Sequence, residues 1–136
     1  MFLNLLNRKE QENFIELATI AMQVDGAVAE EEANIIEVFK REMDIMDYEI
    51  KNIPEEKLIV AFNASSKKVK KVVIMEIAGV LDADENVDQS EENWITNIGE
   101  QWGFRKSEIK KMLRWVEDFN DLLSEGYEFI NKKERL

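Results

Sequence analysis

Apolar residues recur along this chain at spacings of three and four rather than in strict alternation, a pattern that predicts helices throughout and no strand. Phe14, Ile15, Ala18, Ala21 and Met22 mark one face of a first helix over about 8–23, which the Asp25-Gly26 turn ends. A second helix, over about 29–43, carries Ile35, Ile36 and Phe39 inward. Residues 48–52 are expected to form a short helical turn. Pro54 suits the opening of a helix over 55–63, because its fixed φ is already helical and its missing N–H is not needed there. Ser65 or Ser66 caps the next helix, which runs to about 81. Asp88 then begins a capping box that Glu91 closes three residues on, and the helix it opens extends to about 102, where Gly103 stops it. The last helix spans about 107–131. Its stripe of Ile109, Met112, Leu113, Val116, Phe119 and Leu123 is expected to close the bundle, with Gly126 bending or fraying its end.

One segment of this pattern occurs twice. Asp25-Gly26-Ala27-Val28-Ala29-Glu30-Glu31-Glu32 returns in degenerate form as Asp84-Glu85-Asn86-Val87-Asp88-Gln89-Ser90-Glu91, an offset of 59 residues. Flanking apolar positions keep that offset: Ile15 with Ile74, Ile36 with Ile95, Phe39 with Ile98, Met43 with Trp102, Ile45 with Phe104 and Ile50 with Ile109. The reading is a single domain over 1–136, an all-α bundle of about six or seven helices built from two related halves, approximately 14–53 and 73–112.

Composition narrows what such a bundle can do. At 136 residues and 45% hydrophobic content, one compact core is affordable and two would be cramped. Cys and His are both absent, which removes disulfides, thiolate or imidazole zinc sites, thiol nucleophiles and imidazole bases. Any bound metal must therefore be held by oxygen. A net charge of −11 opposes nucleic-acid binding, which needs clustered Lys and Arg, and favours cations or basic partners. Phe2, Leu3, Leu5 and Leu6 form an apolar patch too short for a signal-peptide core, and no stretch approaches membrane-spanning length, so a cytoplasmic protein without a transmembrane segment is expected.

The candidate chemistry lies in the two acidic turns. Aligned with the helix-loop-helix calcium loop, Asp25 falls at position 5, Gly26 at the sharp-turn position 6, Val28 at the apolar position 8 and Glu32 at position 12. Ala21 and Gln23 occupy positions 1 and 3, where carboxylates would be needed. In the second copy Asp82, Asp84 and Glu91 fall at positions 3, 5 and 12, but Val80 stands at position 1 and Glu85 replaces the glycine. Both turns are half-complete. Two carboxylates ~4 Å apart near a surface repel by roughly 4 kcal/mol at an effective dielectric of 20, so a crowded turn protonates, splays or binds a cation. The candidate metal ligands are Asp25 and Glu32 in one half and Asp82, Asp84 and Glu91 in the other, for calcium first and magnesium or manganese next. Plain helix-start stabilisation, about 0.3–1 kcal/mol for each carboxylate at the N-terminal dipole, accounts for the same residues without any ion. Asp88 is assigned mainly to capping.

The pair of turns resembles the tellurite-resistance TerB-like family. The resemblance rests on Val24-Asp25-Gly26-Ala27-Val28 followed by Glu30, Glu31 and Glu32, and on Ala83-Asp84-Glu85-Asn86-Val87 followed by Glu91 and Glu92, and it covers roughly 14–113. It implies a bundle of two related helical halves, acidic clusters proposed to bind divalent cations, and a role in stress-response assemblies without established catalysis. Glu85 departs from the family's turn glycine.

The remaining features point to binding rather than catalysis. There is no glycine-rich phosphate loop, nucleophile elbow or proton relay, so a non-enzymatic domain is expected, with no organic cofactor. Lys67, Lys68, Lys70 and Lys71 form either a solvated face or a dock for an acidic partner or a second copy. Trp94 and Trp102 read as core or core-edge residues, whereas Trp115, Leu122 and Phe129 lie seven apart on the last helix, off its main stripe, as an exposed partner seam. Two readings follow: a divalent-cation-responsive interaction domain acting in stress response, or a metal-free protein-binding module that uses the acidic turns or that seam. Both anticipate a protein partner and allow a homo-oligomer.

Overall fold

A computed structural model describes residues 1–81 and 89–132. Among them the chain is helical, without a strand: a short 3-10 turn at Leu3–Leu5, then α1 (Arg8–Asp25), α2 (Ala29–Met43), α3 (Glu55–Asn63), α4 (Lys67–Leu81), α5 (Gln89–Gln101) and α6 (Lys106–Asn131). No helix among the described residues is long and apolar enough to cross a membrane.

α1 and α4 form the centre. Asn13 through Thr19 are all buried in α1, and Val72, Val73, Ile74, Ile77, Ala78, Val80 and Leu81 are buried in α4, so each of these helices is covered on several sides. α2 and α3 pack on α1, and α5 and α6 pack on α4. The apolar N-terminal patch joins the same core through Leu3 and Leu6. Burying large side chains such as Phe14, Phe62 and Ile77 contributes roughly 1.5–3 kcal/mol each, the main force holding the bundle together.

Local signals set the helix ends. Asn7 caps α1 through a full capping box: its Oδ1 accepts the Glu10 N–H at 2.9 Å, and Glu10 Oε1 accepts the Asn7 N–H at 2.9 Å. At the start of α4 the expected serine cap is Ser66, whose Oγ accepts the Val69 N–H at 3.2 Å. Three left-handed residues stop helices: Gly26 (φ 78°) after α1, Asp44 (φ 56°) after α2 and Gly103 (φ 91°) after α5. All three make matching hydrogen bonds. Asp44 N–H donates to Arg41 O and Ile45 N–H to Lys40 O, while Gly103 N–H donates to Glu100 O and Phe104 N–H to Gly99 O.

Several expectations need correction. α1 continues to Asp25 rather than stopping near 23, because the left-handed turn that ends it is at Gly26. Residues 48–52 form no helical turn; a buried carboxylate, described below, captures their backbone instead. Lys70 is buried, so the lysine cluster is not one solvated face. Leu123 is exposed rather than closing the bundle, and α6 runs through Gly126 without ending. Trp102 is buried and donates its indole N–H to Ile59 O at 3.0 Å, while the half-buried Trp94 donates to Glu55 Oε1 at 2.7 Å, so both strap α5 to α3. Gly99 lets α6 approach α5: a Cβ there would stand 2.6 Å from Ile109 Cδ1.

Candidate functional site

The first acidic turn is built as α1 stops. Gly26 N–H donates to Gln23 O at 3.1 Å and Ala27 N–H to Met22 O at 3.0 Å, a geometry open to glycine because its φ is positive. α2 then begins at Ala29 with Glu30, Glu31 and Glu32 in its first turn, where unpaired N–H groups favour negative charge. Between the end of α1, α2 and the end of α4 lies a cleft of about 420 Å³, lined by Met22, Asp25, Ala27, Glu31, Asn34, Ile35 and Val80.

The cleft gathers Asp25 with Glu31 and Asn34; Glu31 belongs to the glutamate run read from the sequence, but neither it nor Asn34 was among the candidate ligands. Their signal was present, since positions three apart on a helix share a face. Glu32, the candidate at that end of the turn, is half-buried and does not line the cleft. In the second copy, Asp82 and Asp84 lie outside the described residues, as does the proposed cap Asp88. Glu91 is described; it is buried in the first turn of α5. Among the described residues no group of three or more acidic side chains is placed to hold a metal ion. A hard cation at the first turn would draw on Asp25, Glu31 and the Asn34 carboxamide, with the rest of its oxygen shell from water.

A carboxylate held by three donors lies elsewhere. Glu16, in the middle of α1, accepts hydrogen bonds from the Tyr48 hydroxyl at 2.5 Å, the Lys51 N–H at 2.8 Å and the Ile53 N–H at 3.0 Å. Burial pushes its pKa up, but the hydrogen bonds from Tyr48 and the backbone of Lys51, Ile53 and Asn52 outweigh that and hold it below the ordinary carboxylate value. Burial, and then the hydrogen bond and charge of Glu16, push the Tyr48 hydroxyl up. This cradle is full. It organises the connection between α2 and α3, with the Tyr48 hydroxyl and the N–H groups of Lys51 and Ile53 committed to Glu16. An acid set inside the apolar run Phe14-Ile15-Glu16-Leu17-Ala18 was the available clue.

The second candidate surface is the far half of α6. Its first half packs through Ile109 and Val116, and Trp115 stacks on Phe119 at 5.5 Å and tilts against Phe2 at 6.1 Å. Beyond Asn120 every described residue except Gly126 is exposed. Leu122 (66% exposed), Leu123 (48%), Tyr127 (58%), Phe129 (72%) and Ile130 (78%) stand on this projecting length with Trp115 (45%) at its base. The seam expected from Trp115, Leu122 and Phe129 is therefore exposed, and it is wider than the sequence indicated.

Against known proteins, the chain matches no protein-family model, no curated protein and no solved structure.

Proposed function

We propose that this is a non-enzymatic helical interaction domain whose binding surface is the projecting apolar face of α6. One observation carries the reading: six large apolar side chains, 45–78% exposed, lie on one helix that extends past its own bundle. Contiguous exposed apolar area of several hundred Å² marks an interaction site more often than chance exposure. An eleven-residue helical stretch, 121–131, that is exposed almost throughout is also only marginally stable in water, so a partner stabilises it as well as being bound by it. The test is photo-crosslinking in the expressing cell, with benzoylphenylalanine at Leu123. A discrete protein adduct is expected, absent when Phe129→Glu is added. Failure to form any adduct overturns the reading.

A second reading draws on the cleft at the first acidic turn: a divalent cation, calcium first and magnesium or manganese next, bound by Asp25 and its neighbours and regulating the domain. Asp82, Asp84, Glu91 and Glu32 complete the ligand set this reading proposes for the two turns. Its family form is a TerB-like domain of two related halves acting in stress response in the cytoplasm. Support for the two halves comes from spacing: the helix stops at Asp44 and Gly103 and the caps at Asn7 and Ser66 are each again 59 residues apart.

A further inference from the structure

We propose that the corner where α4 and α6 begin is a binding site for a phosphate dianion, at the end of α6 opposite its projecting face. The sequence there breaks with the rest of an acidic chain. Residues 57–75 contain no Asp or Glu, and neither do residues 101–107, while Lys67, Lys68, Lys70, Lys71, Arg105 and Lys106 all fall inside those spans. α4 has no acidic residue in its first turn. Cations at a helix N-terminus oppose the dipole, and like charges three and four residues apart repel, so Lys67 beside Lys70 and Lys71 destabilises the free protein.

Packing brings the two helix starts together. Lys67 Nζ lies 5.7 Å from the centre of the Phe104 ring, and Arg105 follows as the N-cap of α6. Lys70 is the decisive residue. It is only 8% exposed, and among the described residues its side chain takes part in no ion pair or hydrogen bond. One turn further along the same face of α4, Ile74 meets the α5 and α6 contact: a Cβ on Gly99 would stand 3.5 Å from Ile74 Cδ1 and 2.6 Å from Ile109 Cδ1. Lys70 therefore faces the turn before that contact, toward residues 102–105, and helical side chains lean in that direction, toward the N-terminus. Its ammonium is carried into the corner beside Lys67 and Phe104.

Backbone donors face the same way. Ile74 lies by Ile109 and Gly79 by Val116, so α4 and α6 run in the same direction and both positive ends point to this corner. Val69 N–H donates to Ser66 Oγ and Lys70 N–H to Ser66 O, whereas the N–H groups of Lys67, Lys68, Lys106 and Ser107 have no acceptor among the described residues. Two acids at this end are already engaged: Glu10 accepts from the Asn7 N–H at 2.9 Å and the Ser65 hydroxyl at 2.7 Å, and Glu108 from the Arg105 N–H at 3.1 Å. A phosphate dianion suits this donor set, because helix N-termini bind it through exposed N–H groups and its oxygens accept from several ammonium groups at once. A nucleic-acid backbone is disfavoured by the net charge of −11, so the ligand is inorganic phosphate or a small phosphate monoester.

Thermal melting and isothermal titration of the full chain with inorganic phosphate, against chloride at matched ionic strength, test this. Phosphate at ~10 mM should raise the melting temperature by about 3 °C beyond chloride. Lys70→Met keeps the buried stem, removes the ammonium and should abolish the response. Lys67→Gln with Lys71→Gln, both exposed in the structure, should fold normally and weaken phosphate binding about tenfold. Lys132→Gln, past the other end of α6, should leave binding unchanged. Glycerol 3-phosphate distinguishes the sources: tighter binding than inorganic phosphate assigns the site to a phosphorylated small molecule, and weaker binding assigns it to free phosphate. A response that is absent, reproduced by chloride, or retained in both lysine variants overturns the proposal.

Discussion

Two corners of this bundle begin alike and then diverge. After α2 the chain turns left-handed at Asp44, and after α5 it does so at Gly103, with equivalent hydrogen bonds back to the preceding turn. From Gly103 it enters α6 within three residues. From Asp44 it runs without helix to Pro54 before α3 begins. The helix stops do not account for the difference, since they match. What differs is the side chain that meets the chain afterwards: Glu16 on α1 captures Tyr48, Lys51 and Ile53, and the position 59 residues later, on α4, is Met75. Arg8 adds a second hold on the first connection, with its Nη2 3.2 Å from both Asp47 oxygens. A carboxylate satisfied by several donors stabilises an irregular path that has no helical hydrogen bonds of its own.

The sharpest way to break this comparison is Glu16→Met, which makes the first corner resemble the second. The buried Tyr48 hydroxyl and the N–H groups of Lys51 and Ile53 would lose their acceptor, at a cost of about 3 kcal/mol, read as a lowered urea midpoint. A loss no larger than that of an ordinary surface substitution would show that Glu16 is incidental.

Acid should act on the same corner. Because folding lowers the Glu16 pKa, its contribution is complete above the ordinary value of 4.5 and is lost as pH falls through the depressed folded value. The difference in melting temperature between wild type and Glu16→Gln should accordingly be constant near neutral pH and shrink below pH 4.5. The gap in question is about 1–2 kcal/mol. A gap that widened in acid would have the wrong sign for a carboxylate held ionised.

The stops themselves should respond in opposite directions. Gly103→Ala places a Cβ in the left-handed region and should cost about 1 kcal/mol, whereas Asp44→Gly relieves a residue already there and should gain up to about 1 kcal/mol, both by thermal melting. Equal signs would mean the corners are not equivalent. The smallest effect expected is at the first acidic turn. Millimolar calcium added to chelator-treated protein should raise the melting temperature by about 2–3 °C, and Asp25→Asn should remove most of that rise. An unchanged melting temperature would leave the acidic turns as helix starts alone.

Much of this architecture could be read from the chain. The start of α2 coincides with its expected position because Gly26 and the run of glutamates signal it locally. Ser66, Pro54 and Gly103 did the same for α4, α3 and the end of α5. Residues 48–52 misled because the acceptor that shapes them lies more than thirty residues away in sequence, on α1. Leu123 misled for a related reason. Its three-and-four spacing continues the buried stripe of Ile109 and Val116, but periodicity reports which side of a helix is apolar and not how far the underlying bundle reaches. Glu31 and Asn34 joined Asp25 in a cleft only once α1, α2 and α4 were packed.

By itself, then, the sequence determined the helices, most of their stops and the apolar side of each, because propensity, capping and periodicity act within a few residues. It also determined that any metal here would need oxygen ligands. Tertiary structure decided which acid the fold would consume, Glu16, and which would line a cleft, Asp25. It decided as well that the apolar face of α6 would outrun its own core. Those outcomes depend on which surfaces meet across long sequence separations, and burial and hydrogen-bond satisfaction settle them only when all the helices are in place.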